Sequence, residues 1–183
     1  MPSAGSSMTH GSVTSMADDI NLADYMTGTD WLGIGLSVVA AFLIGFVWFT
    51  FLFGKQWAKE FGMDSAEKPP AKSMLGPLAK DLFAALLTAY VLWHSIVSFV
   101  PSIWADHLSS VAGNAAVAAE DAAMWTYGFW GALFIWLGYF VPVSLSRTGW
   151  ERRSWSWFGI DVGYHFVKLV AMGQILAAFA SGA

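Results

Sequence analysis

From Trp31 onward the chain reads as apolar runs separated by short polar connections. Trp31–Phe53 contains no charged residue, and the second run, roughly Ala79–Val100, carries Lys80 and Asp81 only at its start and ends before Pro101. The third run is Met124–Ser146 and the fourth extends from about Phe158 to Ala180. Each approaches the ~20 residues that cross a hydrocarbon core about 30 Å thick. Barrel strands would be about 10 residues long with alternating polarity, and that pattern is absent. The predicted fold is therefore all-α: a polytopic membrane protein whose residues 31–183 form a four-transmembrane-helix bundle. Residues 1–30, polar and acidic without Lys or Arg, are expected to be a flexible non-cytoplasmic tail, with room for a short helix over Ala17–Met26. They lack the basic start and apolar stretch of a secretory signal.

Composition strengthens this picture. The chain has 183 residues, 56% hydrophobic and 12% charged, against about 25% charged in soluble domains. So few charges do not cover a water-soluble surface. Cysteine is absent, which excludes disulfides, thiolate metal sites and cysteine nucleophiles. No basic run points to nucleic acid.

The placement of charge predicts orientation. Lys55, Lys59, Lys68, Lys72 and Lys80 flank the first connection, and Arg147, Arg152 and Arg153 the third. The tail and the loop 101–123 hold Asp18, Asp19, Asp24, Asp30, Asp106, Glu120 and Asp121 but no Lys or Arg. Basic connections stay cytoplasmic, so both termini are expected outside (N-out, C-out), as in a bacterial inner membrane. The same basic connections carry Trp57, Phe61, Trp150, Trp155 and Trp157. Indoles beside Arg152 and Arg153 have the composition of an interfacial anchor facing anionic lipid, with a partner-docking face as the other use.

Gly45 precedes Trp57 by the same twelve residues that separate Gly138 from Trp150. Either the two helix pairs are parallel repeats, or a composition rich in Gly and Trp produces the match.

Three stretches also resemble a known family. Gly45-Phe-Val-Trp-Phe-Thr-Phe-Leu-Phe-Gly-Lys-Gln-Trp57, Trp136-Leu-Gly-Tyr-Phe-Val-Pro142 followed by Trp150-Glu151, and Ile160-Asp-Val-Gly-Tyr-His165 occur in order over roughly residues 31–180. They are similar to the membrane proteins grouped as domain of unknown function 1761. The resemblance implies a four-helix membrane fold and no particular activity.

Ionisable groups at bilayer depth are costly and mark candidate sites. Asp161, His165 and Lys168 stand at i, i+4 and i+7, on one face of the fourth helix, with Tyr164 adjacent. Counted from Trp157, Lys168 lies about 16 Å deep. Tyr90 and His94 form a second i, i+4 pair on the second helix, with His94 about 21 Å from the cytoplasmic helix start. A line Asp161, His165, Lys168, His94 would pass protons or hold an anion. Alternatively these groups satisfy one another and fix helix register. His94 and His165 are also formal haem or metal ligands, but no motif supports a cofactor. Gly159 and Gly163 form a GxxxG, which with Gly45 and Gly138 is expected to serve helix packing or homodimerisation. Pro142 is expected to kink or end the third helix. P-loop, GxSxG, HExxH and GxGxxG motifs are absent, and Asp106–His107 reads as a surface pair.

Two classes of function follow. The first is a non-catalytic accessory or scaffold subunit holding lipid, other membrane proteins or a second copy. The alternative is a small carrier or proton-coupled permeation protein built on Lys168, His165 and His94.

Overall fold

The computed structural model describes residues 29–62, 71–98 and 123–180, and every regular element among them is helical. The tail, the centre of the first connection and most of the loop 101–123, including Lys68, Asp106 and His107, lie outside the described residues.

Helix α1, Trp31–Val47, starts at Asp30, whose carboxylate accepts from the backbone N–H groups of Leu32 and Gly33 at 2.9 and 3.0 Å. A side-chain acceptor there satisfies donors that have no partner in the helix itself. The helix passes into a π-helical turn, Trp48–Leu52, and breaks at Phe53. Gly54–Glu60 then forms a short helix, α2. Helix α3 covers Ala71–Ser98 and so begins well before the apolar run at Ala79, with Pro77 inside it. The third span is one rod in three pieces: α4, Met124–Ile135, a second π-helical turn, Trp136–Phe140, and α5, Val141–Trp150. Helix α6 is Trp155–Ala180.

Four stretches are long and apolar enough to cross a membrane: Trp31–Leu52, Ser73–Ser98, Met124–Trp150 and Trp155–Ala180. They match the four runs read from the sequence, extended at three ends: the start of the second, the end of the third and the start of the fourth. Pro142 neither ends nor interrupts the third span. The ladder has already shifted to i→i−5 bonding, with the Val141 N–H on the Trp136 carbonyl. One residue is thereby looped out before proline's missing donor is reached.

Helix α6 is the axis. It is antiparallel to α1, with Gly33 against Phe179 at one end and Gly45 against Tyr164 towards the other. It is antiparallel to the third span, where Gly128 and Gly173 meet backbone to backbone. Lipid gives no hydrophobic drive to such pairs, so close approach through small residues supplies the packing. Ile34, Val38, Ala89, Leu92, Ile96, Leu169, Met172 and Leu176 fill the core at this end. Helix α3 is the loosest member. Ala85, Ala89, Leu92 and Ile96 face inward, whereas the described side chains from Ser73 to Ala84 are all exposed.

Candidate functional site

The polar cluster lies where the two π-helical turns flank α6. Each turn begins at a tryptophan, within Phe46-Val-Trp48 and Phe134-Ile-Trp136. Trp48 donates its indole N–H to the Ile160 carbonyl at 3.2 Å, and Trp136 donates to the Val162 carbonyl at 2.9 Å. These bonds clamp α6 from two sides around Asp161. The Gly45/Gly138 register read from the sequence therefore does not match what the two rods share, which is Trp48 and Trp136.

Asp161 is buried and accepts from the Ser144 hydroxyl on α5 at 2.6 Å. Its other oxygen lies 3.9 Å from His165 Nε2. The His165 ring packs against Phe140 at 4.3 Å and Tyr164 at 5.1 Å, and its buried Nδ1 has no hydrogen-bond partner among the described residues. Lys168 is 7% exposed. Its Nζ stands 5.0 Å from the Tyr164 ring and 5.9 Å from the Phe140 ring. The aromatic faces, with their negative quadrupole, partly replace the water it has lost. Two carboxylates act on Lys168 and Tyr164 electrostatically, Asp161 and Asp81.

Asp81 is the member that sequence reasoning missed, treating it as a charge at a helix start. A signal was present. Asp81, Ala85, Ala89, Leu92 and Ile96 fall at i, i+4, i+8, i+11 and i+15, so Asp81 stands at the exposed start of the stripe that the other four turn inward. Ser144 was missed as well, and a lone serine on an apolar helix offers little to find it by.

On its own helix His94 has Nδ1 2.9 Å from the Tyr90 carbonyl, and the two rings are 4.3 Å apart. Tyr90 in turn stacks on Trp31. The structure thus brings Asp161, Tyr164, His165 and Lys168 together and sets Tyr90 and His94 in a separate group. Gly45 and Gly163 pack closely, on Tyr164 and Trp48. At Gly138 and Gly159 nothing lies within 4 Å of where a Cβ would stand, so neither mediates a close approach among the described residues.

The aromatic residues of the basic turns also divide. Trp150 and Trp155 are 90% and 70% exposed, while Trp157 is 1% exposed beneath the guanidinium groups of Arg147 and Arg153. Its place at i−4 from Asp161, on the inward face, explains the difference. Trp57 is half-buried between Phe49 and Phe61. Glu151 pairs with Arg147 at 2.9 Å and Arg153 at 3.4 Å. The Arg147 hydrogen bond in particular holds its carboxyl below the usual range.

Between α3 and the third span a groove of about 340 Å³ opens outward. Its Thr88 and Ser95 hydroxyls bond back to Ala84 and Val91, leaving apolar walls. Phe140 separates this groove from His165.

Four apolar rods enclosing a charged cluster, with aromatic girdles at the ends, define the class: an all-helical membrane protein. Within that class the chain belongs to the family described as Protein of unknown function (DUF1761), which matches residues 32–177. The resemblance carried by Gly45–Trp57, Trp136–Pro142 and Ile160–His165 is borne out. No curated protein and no solved structure matches the chain.

Proposed function

We propose that this protein is a non-catalytic accessory or scaffold subunit of a bacterial inner membrane, N-out and C-out, holding lipid and neighbouring membrane proteins. The observation that carries this reading is the closure of the polar cluster. Beyond Lys168 the large inward side chains of α6 are Leu169, Met172 and Leu176, with Gly173 and Ala177 buried between them. They pack on Ile34, Leu92 and Ile96, beside the Gly128–Gly173 contact. Among the described residues, the way from Lys168 towards the C-terminal end of α6 is lined mainly by apolar side chains, and the buried Ser37 hydroxyl there is turned back onto the Ile34 carbonyl at 2.8 Å. The outward surfaces fit the same reading: at most 44% of any span's apolar window is buried within the chain, leaving wide faces for lipid or partners.

Purification in mild detergent or nanodiscs, with mass spectrometry and an absorption spectrum, tests it. Co-purifying subunits in fixed ratio are expected. A homo-oligomer alone would overturn it.

One observation favours the alternative, a small carrier. Lys168 is buried without an ion pair among the described residues, and unpaired intramembrane charge is costly to keep. The Lys168→Met variant separates the two readings. As a structural element it should fold as well or up to a few kcal/mol more stably. As a carrier residue it should abolish flux into proteoliposomes while folding is preserved.

A further inference from the structure

The basic residues around the two connections look equivalent in sequence but not in structure. Arg147 and Arg153 are committed: both pair with Glu151 and both lie over the Trp157 ring. Arg153 also stands 4.7 Å from the Phe61 ring, and Gln56 Nε2 donates to Ser156 Oγ at 2.8 Å. These two contacts strap α2 to the turn between α5 and α6, making one platform of segments about 100 residues apart. Lys55 and Lys59, at i and i+4 on α2, and Arg152 in the turn are exposed. None of the three has an ion pair or hydrogen bond among the described residues. Trp150 and Trp155, which flank Arg152 in the sequence, are exposed as well.

We infer that Lys55, Lys59 and Arg152 form a binding site for the head group of an anionic phospholipid, its tails lying along the apolar faces beside Trp150 and Trp155. The inference deepens the lipid-holding part of the proposed function and rests on it. Charge complementarity fixes the occupant. Three unneutralised cations sit on a strapped platform at the same end of two spans, where a phospholipid presents its phosphate. The exposed indoles suit the level of the head groups.

The full chain in mild detergent, titrated with phosphatidylglycerol or phosphatidylcholine and followed by native mass spectrometry, provides the test. A basic side chain near an anionic surface contributes about fivefold in affinity. Replacing all three by Gln should therefore weaken retention of phosphatidylglycerol about a hundredfold and leave phosphatidylcholine retention unchanged. Replacing Lys55 and Lys59 by Arg should preserve it. Equal retention of the two lipids, or an unaffected triple variant, overturns the inference. If the triple variant does not fold, the natural chain decides: retention must fall as salt rises, since salt screens exposed charge. A salt-independent result also overturns it. Lost lipid selectivity with co-purifying subunits intact would sink this inference alone; missing subunits with selectivity intact would sink the scaffold role alone.

Discussion

Single atoms decide several positions. At Gly128 an added Cβ would meet the Gly173 carbonyl oxygen and come within 2.9 Å of the Ala177 Cβ. Both obstacles belong to a helix backbone or its stem, so neither can swing aside. Gly128→Ala should cost about 1–3 kcal/mol as an overpacking change, read by unfolding in mixed micelles. Gly159→Ala, with open space, should stay within about 0.5 kcal/mol of the natural chain. Glu151 gives a pH prediction of definite sign. The Arg147 hydrogen bond, aided by Arg153, lowers its folded-state pKa below 4.5. Its stabilising contribution is then fully present above that value and is lost as pH falls through the folded pKa. Thermal unfolding followed through the acid range should show an acid-sensitive component that Glu151→Gln removes. An identical acid profile in the variant would disprove that assignment.

Among the elements, the two π-helical turns set where α6 is gripped. Trp48→Phe and Trp136→Phe keep the ring and delete the donor, so each should cost about 0.6 kcal/mol, the average for an interhelical hydrogen bond in a membrane. The double variant should cost roughly the sum if the clamps act independently, and clearly more if losing one lets α6 shift off the other. Hydropathy made the spans legible because crossing a bilayer demands about 20 apolar residues in a row. It did not make the π turns legible, because i→i−4 and i→i−5 bonding use the same side chains. Nor did it foresee that α3 would begin at Ala71, since Gly76 and Pro77 read as a connection. The intrahelical cluster of Asp161, Tyr164, His165 and Lys168 was readable from 3.6-residue periodicity. So was the burial of Trp157, had the same face been followed one turn back. What joins separate helices was not readable: Ser144 to Asp161, and the Trp48 and Trp136 indoles to the backbone of α6.

For the whole molecule, the orientation unites the charge pattern with the packing. The basic connections lie at one end of the rods, because α1 and the third span both run antiparallel to α6. One choice of side therefore places every basic connection at once, and in the proposed N-out, C-out orientation that side is the cytoplasm. The absence of cysteine permits a clean assay. Ala123, just before α4, and Gly149, near the end of α5, are both exposed, and nothing surrounds a Cβ at Gly149. Intact cells carrying Ala123→Cys should react with a membrane-impermeant maleimide. Cells carrying Gly149→Cys should react only after the membrane is opened. The reverse pattern would invert the whole protein and move Lys55, Lys59 and Arg152 to the outer leaflet. Labelling of both from outside would mean that Met124–Trp150 does not cross the membrane. In that case the polar cluster would no longer lie at bilayer depth, and the buried Lys168 charge would carry no membrane cost.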